Sequence, residues 1–375
     1  MDARTRGLED VVIGTSTISR VGGEDGLLLF RGFDIADVVA HLGYEGVYHL
    51  LLTGDPPDRD PPPELAGALA RRRALSAEVA RAVDALPAGL APMDGLRSAV
   101  SLLGAEGFPY PPTVEQGHAL VAQAATLLAR IERRRRNEEP VPPDPSLGHV
   151  ENFLWMLEGR RPGPRRVWAL ESYFDIVADH GMNASTFALR VVLSTNADLV
   201  GAATAAIAAL KGPLHGGAPQ RVLDMLDSVG SAENAPTWIA SALGRKERLM
   251  GFGHRAYKVE DPRARLLREI ARRVAEPGRF ALARRVEEVA LEELGRRRPE
   301  QRLHVNVEFY AAVVLEAAGL PRELFPATFA VARCAGWVAH ALEQTAENRL
   351  IRPDIEYAGA TGRRFDAARP RRLPP

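Results

Sequence analysis

The sequence predicts a mainly α-helical protein with one small β-hairpin near its N-terminus. Apolar residues recur at helical spacing through most of the 375 residues. One pair of short apolar segments, 16–21 and 27–30, flanks the glycine-containing turn GGEDG, which is typical of a hairpin. No GxGxxG or Walker pattern follows a predicted strand, which argues against a doubly wound nucleotide-binding fold.

Helices are predicted wherever the apolar spacing continues without proline or clustered glycine. The segment 184–210 is so rich in small apolar residues that we expect one helix buried on nearly all sides. The predicted helices span 34–54, 64–84, 96–103, 114–136, 149–157, 166–179, 184–210, 220–228, 236–247, 262–275, 280–294 and 326–348.

A change in charge along the chain predicts two domains. Helices after His215 carry more charge than those before it, whereas the last helix is again apolar. We therefore expect a large helical domain built from 1–218 and 324–375, with a smaller helical domain, 219–323, inserted between them.

Composition excludes several classes of partner. The 48 basic and 48 acidic residues cancel, and the arginine run 133–136 is followed at once by acids and prolines, so neither nucleic acid nor a membrane surface is expected to bind. The N-terminus lacks a secretory apolar segment and no apolar run is long enough to span a bilayer. The single cysteine, Cys334, lies in an apolar run and is predicted to be a buried thiol in a reducing, cytoplasmic setting.

Two glycine-rich segments carry the most suggestive histidines. His215 lies in KGPLHGG, where a nearby helix N-terminus would favour a neutral ring able to donate a hydrogen bond to a carbonyl. His254 lies in MGFGHRAYKVEDPRA among basic residues, and Asp261 with Pro262 is typical of a helix N-cap and first position. Taken singly, either histidine is equally explained by a structural turn.

Two further segments are candidates on weaker grounds. ADHGMNASTF contains His180, with Ser185 or Thr186 as possible helix caps. HVNVEFY places Glu308 beside two aromatic residues, where a raised pKa would suit a general base, although a surface glutamate at a helix start is the alternative. No metal-binding spacing and no GxSxG serine-hydrolase elbow is present.

Together these motifs resemble the citrate synthase family over almost the whole chain. GLEDVVIGTSTISRVGGEDGLLLFRGFDIADV resembles its N-terminal segment, and ADHGMNASTF, LKGPLHGGA, MGFGHRAYK with DPRA, and NVEFY resemble its active-site segments in the same order. The resemblance implies a homodimer formed through the large domains, a small domain that closes over the site, and no cofactor, acetyl-CoA being a substrate.

The resemblance also implies roles for individual residues. His215 would hydrogen-bond the thioester carbonyl of acetyl-CoA, His254 would polarise the keto carbonyl of oxaloacetate, and Glu308 would remove the methyl proton. Oxaloacetate would be held by His180, Arg263, Arg333 and, from the partner subunit, Arg352. CoA would be bound by Gly251, Gly253 and Lys258.

One departure from the family pattern concerns Glu308, because the family's usual base is an aspartate, shorter by one methylene. We expect condensation of acetyl-CoA with oxaloacetate through citryl-CoA to citrate and CoA, as in the tricarboxylic acid cycle. Two alternatives remain open at this point: a 2-methylcitrate synthase that uses propionyl-CoA, and a catalytically weak relative that binds CoA or a dicarboxylate. The first shares all the motifs above. The glutamate at position 308 motivates the second, whereas the intact histidines and arginines count against it.

Overall fold

The structure is a computed structural model that describes residues 7–8, 11–215, 219–253, 257–297, 299–300 and 303–364. Within these ranges helices dominate, and the one sheet is three-stranded and lies near the N-terminus. The prediction of a mainly α-helical fold is therefore confirmed.

The N-terminal sheet comprises β1 (Ser19–Gly22), β2 (Leu27–Phe30) and β3 (Phe33–Asp34) in sequential antiparallel order. Ser19 pairs with Phe30, as the predicted hairpin requires, but β1 starts three residues later than expected. Sequence patterns also missed β3, which forms because Arg31 (φ 51°) and Gly32 (φ 93°) turn the chain back sharply.

The first part of the chain contains ten α-helices among the described residues. These are α1 (Ile35–His41), α2 (Tyr44–Thr53), α3 (Pro63–Arg72), α4 (Ala77–Asp84), α5 (Pro92–Leu102), α6 (Val114–Arg135), α7 (His149–Glu158), α8 (Pro164–Val177), α9 (Ala184–Ser194) and α10 (Leu199–Leu210).

Three segments predicted as single helices are each divided in two, and capping explains where. The side chain of Ser76 accepts a hydrogen bond from the Val79 N–H and starts α4. Asp198 accepts from the Gly201 N–H and starts α10, after Asn196 has left the helix at φ 66°. Extended backbone at Leu42 likewise separates α1 from α2. Apolar periodicity continues across such breaks, which is why it did not reveal them.

The later helices follow the predicted positions with small shifts at their ends. They are α11 (Pro219–Val229), α12 (Ala235–Gly244), α13 (Pro262–Val274), α14 (Pro277–Arg297), α15 (Val307–Ala317) and α16 (Phe325–Ala346).

Helix α16 forms the centre of the hydrophobic core. Its residues are buried almost without interruption from Phe325 to Ala341, and it packs against α2, α6, α8, α9 and α10. Cys334 is buried there, as predicted, and burial raises the pKa of its thiol to about 12. The expectation of near-complete burial for 184–210 is wrong for α10, because Gly201 and Ala208 are exposed in the single chain.

The two predicted domains meet along α8. This helix packs against α13 and α15, which belong to the predicted small unit, and also against α16. The boundaries at 219 and 323 remain a prediction. Among the described helices, none has the length and apolarity needed to cross a membrane.

Candidate active site

The N-terminus of α9 binds the ring of His215. Its Nε2 accepts a hydrogen bond from the Ser185 N–H at 3.1 Å and lies 2.9 Å from the Ser185 hydroxyl oxygen. Since a backbone N–H can only donate, Nε2 carries no proton in this arrangement, and the ring proton is on Nδ1. His215 can therefore donate one hydrogen bond from Nδ1.

Burial and the nearby charge of Arg333 lower the pKa of His215 to about 4. The predicted neutral histidine is thus supported, with two corrections to its surroundings. The helix end that contacts the ring belongs to α9, not to the helix that follows His215. The N-cap of α9 is Asn183, whose Oδ1 accepts from the N–H groups of Ser185 and Thr186, so neither of these two is the cap.

His180 follows a carboxylate that is completely buried. Asp179 accepts hydrogen bonds from the Gly181 N–H at 2.9 Å and the Ser19 hydroxyl at 2.5 Å. Its other oxygen is 3.1 Å from Nε2 of His340 on α16. Burial opposes the charged carboxylate, yet His340, Arg333 and the hydrogen bonds lower the pKa of Asp179 to about 2. These contacts fix the backbone next to His180. Nε2 of His180 lies 3.3 Å from the hydroxyl oxygen of Tyr257.

The loop containing Gly251 and Gly253 is hydrogen-bonded to the start of α15. The Gly253 N–H donates to the His304 carbonyl at 2.8 Å, and the Asn306 N–H donates to the Gly251 carbonyl at 2.9 Å. Asn306 also caps α15 by accepting from the Glu308 N–H at 3.0 Å. The loop and the candidate base therefore form one rigid unit.

Burial raises the pKa of Glu308 to about 7, against the opposing effect of Arg263. The same charge environment includes Asp261, which raises the pKa, and Arg333, which lowers it. A carboxyl group with this pKa is ionised in a substantial fraction of molecules at neutral pH, and it is basic enough to accept a proton.

Arg263 is buried at the beginning of α13. Asp261 is the N-cap and Pro262 the first helical residue, as predicted. Burial alone would lower the pKa of Arg263, but pairing with Asp261 raises this pKa above its ordinary value. The pair is bidentate, with Nε–Oδ1 at 3.1 Å and Nη2–Oδ2 at 2.8 Å.

Arg333 is buried without a carboxylate in direct contact. Its Nε donates to the Val177 carbonyl at 2.5 Å, its guanidinium lies over the Phe329 ring, and Nη2 has no hydrogen-bond partner in the described chain. Burial lowers its pKa to about 10, so it remains cationic at neutral pH. A buried cation with an unused donor is expected to bind an anion.

Three predicted site residues are not among those that the described structure brings together here. His254 falls in 254–256, outside the described residues. Lys258 is exposed, and its ammonium group pairs with Glu24 in the hairpin turn. Arg352 is exposed in the segment after α16 and forms no hydrogen bond or ion pair with the described residues. Within the described ranges, no three His, Cys, Asp or Glu side chains are placed to hold a metal ion.

Sequence reasoning missed the residues that support the site. Tyr173 on α8 is buried and lies in the electrostatic environment of Glu308 and both buried arginines. Asp179 adjoins His180, and His340 follows Arg333 by seven residues, which places both on one face of α16. That spacing is the one signal in the sequence that could have predicted the role of His340.

Comparison with known proteins places this arrangement in a family. The family model described as "Citrate synthase, C-terminal domain" matches residues 7–354. Citrate synthase 2 of Bacillus subtilis is 39% identical, with 96% of this chain and 97% of the relative covered. The chain belongs to the citrate synthase family. The citrate synthase of Acidithiobacillus ferridurans is 38% identical, with 96% of each chain covered.

Solved citrate synthases have the same fold. The enzyme of Pyrobaculum aerophilum is 34% identical with a TM-score of 0.86 and covers 96% of this chain and 93% of its own. The enzyme of Thermoplasma acidophilum, solved as a ternary complex with carboxymethyl coenzyme A and oxaloacetate, is 28% identical with a TM-score of 0.88. It covers 96% of this chain and 97% of its own. The predicted citrate synthase-like helical fold and acyltransferase class are therefore confirmed.

Proposed function

We propose that the protein condenses acetyl-CoA with oxaloacetate and water to give citrate and CoA through citryl-CoA. The observation that best supports this reaction is the shared environment of Glu308, whose pKa is about 7, the neutral ring of His215, and the unpaired donor of Arg333. Carbon-acid deprotonation needs a base and a hydrogen-bond donor to the developing oxyanion, and a dicarboxylate needs guanidinium groups.

The two acidic ends of oxaloacetate would bind to arginines. Arg333 offers an unused N–H inside the core, and Arg263 is held in position by Asp261. Arg352 of the partner subunit would complete the set in a homodimer formed through the large domains. His180 and His254 would hold and polarise the keto carbonyl, which becomes the electrophile.

Proton transfer would begin at Glu308. Its carboxylate removes a proton from the methyl group of acetyl-CoA, while Nδ1 of His215 donates a hydrogen bond to the thioester oxygen. The enol carbon then attacks the keto carbon of oxaloacetate, and water hydrolyses the resulting citryl-CoA. A neutral His215 suits this task because the acidity of its N–H is close to that of the enol. An imidazolium would be much more acidic than the enol.

CoA would lie along the loop of Gly251 and Gly253, with Lys258 near its phosphates. In the present arrangement the ammonium group of Lys258 pairs with Glu24, and both side chains are largely exposed, so exchange of Glu24 for a phosphate has a small cost. We propose no cofactor and a cytoplasmic setting.

Release of CoA from acetyl-CoA in the presence of oxaloacetate tests this function. Glu308→Gln should lower kcat by at least about 10²-fold, because general-base catalysis contributes at least this factor. Glu347→Gln changes an exposed glutamate and should leave the rate unchanged. If the natural chain binds both substrates, as seen by thermal stabilisation, but releases no CoA, the protein is a binder and the proposal fails.

Propionyl-CoA is the substrate of the second candidate, a 2-methylcitrate synthase. The site residues above serve either thioester, and one methylene in an acyl pocket changes the barrier by only about 1–3 kcal/mol. Competition of both thioesters in one reaction, with the two products measured separately, decides between them. A kcat/KM ratio that favours propionyl-CoA would assign the second function.

A further inference from the structure

A cavity outside the candidate active site lies on the face of α8 opposite to Tyr173. Its volume is about 450 Å³, and it opens where the C-terminal end of α1 and the N-terminal ends of α2 and α7 meet α8. Its walls combine apolar side chains with carboxylates. The carboxylates are Glu45, Asp60, Glu151, Glu171 and Asp175.

Three of these carboxylates have structural tasks at helix ends, and one of them is Glu171, which is hydrogen-bonded to the Tyr44 backbone at the start of α2. Glu45 accepts a hydrogen bond from the His149 N–H at 2.6 Å, at the first residue of α7. Asp60 accepts from the Gly43 N–H at 2.8 Å, at the N-cap of α2. Negative charge is stabilising at both places because the N-termini of helices carry partial positive charge.

Asp175 has no such task. It is only 2% exposed, and no hydrogen bond reaches its carboxylate from the described residues. Its Oδ1 is completely buried without a partner. A buried carboxylate oxygen without a donor destabilises a protein unless a ligand or a proton satisfies it.

The carboxylates that line the cavity raise one another's pKa values despite the nearby helix N-termini. Burial first, and then Glu45 and other nearby carboxylates, raise the pKa of Glu171 to about 7. Burial and the same neighbours, including Glu171, raise the pKa of Asp175 well above its ordinary range. A bound cation would relieve both effects, since it favours the charged form of each carboxylate.

The arrangement favours an extended organic cation over a metal ion. Among the described residues no three carboxylate or imidazole groups are placed to share one ion, so the charge is spread along the cavity. Val39, Leu42 and Val167 supply apolar walls between the carboxylates. An alkyl chain with ammonium groups at its ends matches this alternation of apolar and acidic surface.

Two basic side chains lie on or beside residues that line the cavity. The Arg273 guanidinium is 5.9 Å from the centre of the ring of Trp168, which lines the cavity. His41 also lines the cavity, and its Nδ1 donates to the Asp37 carbonyl at 2.8 Å. Neither group reaches Asp175 with a hydrogen bond, so Oδ1 of Asp175 in the deep end stays without a donor.

We propose that this cavity binds a small aliphatic amine with two or more ammonium groups, one of which pairs with Asp175 in the deep end. The cavity is separate from the candidate active site, because the two use different faces of α8. Glu171 and Asp175 line the cavity. Tyr173 lies in the electrostatic environment of Arg263 and Arg333, and the Val177 carbonyl accepts a hydrogen bond from Arg333.

Isothermal titration of the full chain with 1,4-diaminobutane at pH 8 tests the proposal. We expect saturable binding at one site per chain, with no comparable binding of the neutral 1,4-butanediol. Asp175→Asn should weaken the affinity at least about tenfold, because the amide cannot become the anion that pairs with an ammonium group. Glu347→Gln, on the exposed surface, should bind like the natural chain.

A pH series on the natural chain provides a second measurement that needs no variant. Because the pKa of Glu171 is raised to about 7, lowering the pH from 8 to 5 should weaken diamine binding at least about tenfold. Ordinary surface carboxylates, with pKa values of about 4, would remain charged at pH 5. Equal affinity in Asp175→Asn, or affinity unchanged at pH 5, or the same heat with MgCl₂ at matched ionic strength, would each overturn the proposal.

Discussion

At the level of single residues, the raised pKa of Glu308 predicts how activity depends on pH. Its folded-state pKa is about 7, above the ordinary glutamate value of about 4.3. The base must be ionised to accept a proton, so kcat/KM should rise with pH to a plateau, with a midpoint near 7. A profile flat from pH 5.5 to 8.5 would show that another group is the base.

The raised pKa of Glu308 also affects stability. Its contribution to stability falls as the pH rises, whereas activity is expected to rise. A group whose pKa is raised on folding stabilises the folded state below its unfolded pKa, and that contribution is lost as pH rises through the folded value. For Glu308 the loss falls between about pH 4.3 and 7. The protein therefore gains a working base in the same pH range in which this residue's contribution to stability declines.

Shortening the base is the second prediction at this level. Glu308→Asp restores the residue type that the citrate synthase family usually has, so we expect turnover to be kept or raised. Steady-state CoA release, compared with Glu308→Gln as the inactive reference, measures it. Complete loss of activity in a folded Glu308→Asp protein would mean that the site is shaped around the longer side chain, because a displacement of about 1 Å can cost about 10²-fold.

At the level of secondary-structure elements, α16 supports the loop that carries His180. Gly336 approaches this loop so closely that an added Cβ would lie 2.4 Å from the Ala178 carbonyl oxygen. Arg333 and His340 lie on either side of Gly336 along the helix, and both act on the charge of Asp179. One helix thus carries Arg333, a proposed ligand of oxaloacetate, and also positions the loop of His180, another proposed ligand.

Asp179→Asn should disturb this support without removing a group that contacts substrate. We expect the KM for oxaloacetate to rise several-fold while kcat changes little, because His180 loses its fixed backbone. The natural protein should also lose stability as pH falls from about 4 towards 2, since the pKa of Asp179 is depressed to about 2, and the variant should lack this loss. Unchanged KM and an unchanged acid transition would contradict the assignment.

The loop of Gly251, which is hydrogen-bonded to the start of α15, gives a prediction about stability. Gly251 has φ 82°, and a Cβ there would lie 2.8 Å from Cδ2 and 3.1 Å from Cα of Phe309. Gly251→Ala should therefore lower the free energy of unfolding by more than about 1–3 kcal/mol, the cost of the strained backbone alone. Gly295→Ala, in the exposed last turn of α14 with open space around it, should leave that free energy unchanged or slightly raised. Denaturant unfolding compares the two.

At the level of the whole molecule, the proposed role of Arg352 would link catalysis to assembly. Arg352 is exposed in the single chain, and we propose that it binds oxaloacetate in the site of a partner subunit. Arg352→Ala should weaken oxaloacetate binding at least tenfold without changing the molecular mass in solution. Arg349→Ala, an exposed arginine three residues earlier, is the matched control. Dimers with unaltered oxaloacetate affinity would exclude the role of Arg352.

The family, the fold class and most helix positions could be predicted because they depend on local patterns. Periodic apolar residues locate helices, and motifs such as KGPLHGG and ADHGMNASTF carry the resemblance in their order. Helix breaks at Asp198 and Ser76 were missed because a single capping side chain outweighs the continuing periodicity. The cap of α9 was placed two or three residues late for a similar reason, since several polar residues there could serve.

Contacts between distant parts of the chain could not be predicted from one sequence. The pairing of His215 with Ser185, the burial of Arg333 without a carboxylate, and the acidic cavity around Asp175 each depend on how helices pack. Packing is set by the shapes of many side chains together, and no local pattern records it. The pKa values that make Glu308 and His215 useful follow from that burial, so they too appear only in three dimensions.

The N-terminal hairpin finally bears on the order in which the protein can form. Ser19 binds Asp179, 160 residues later, and Lys258 reaches back 234 residues to Glu24. During synthesis the hairpin leaves the ribosome first, but its partners follow only after much of the chain has been made. Closing such long loops has an entropic cost before their contacts can compensate. We therefore expect the loops that carry His180 and Lys258 to assemble against the hairpin late in folding.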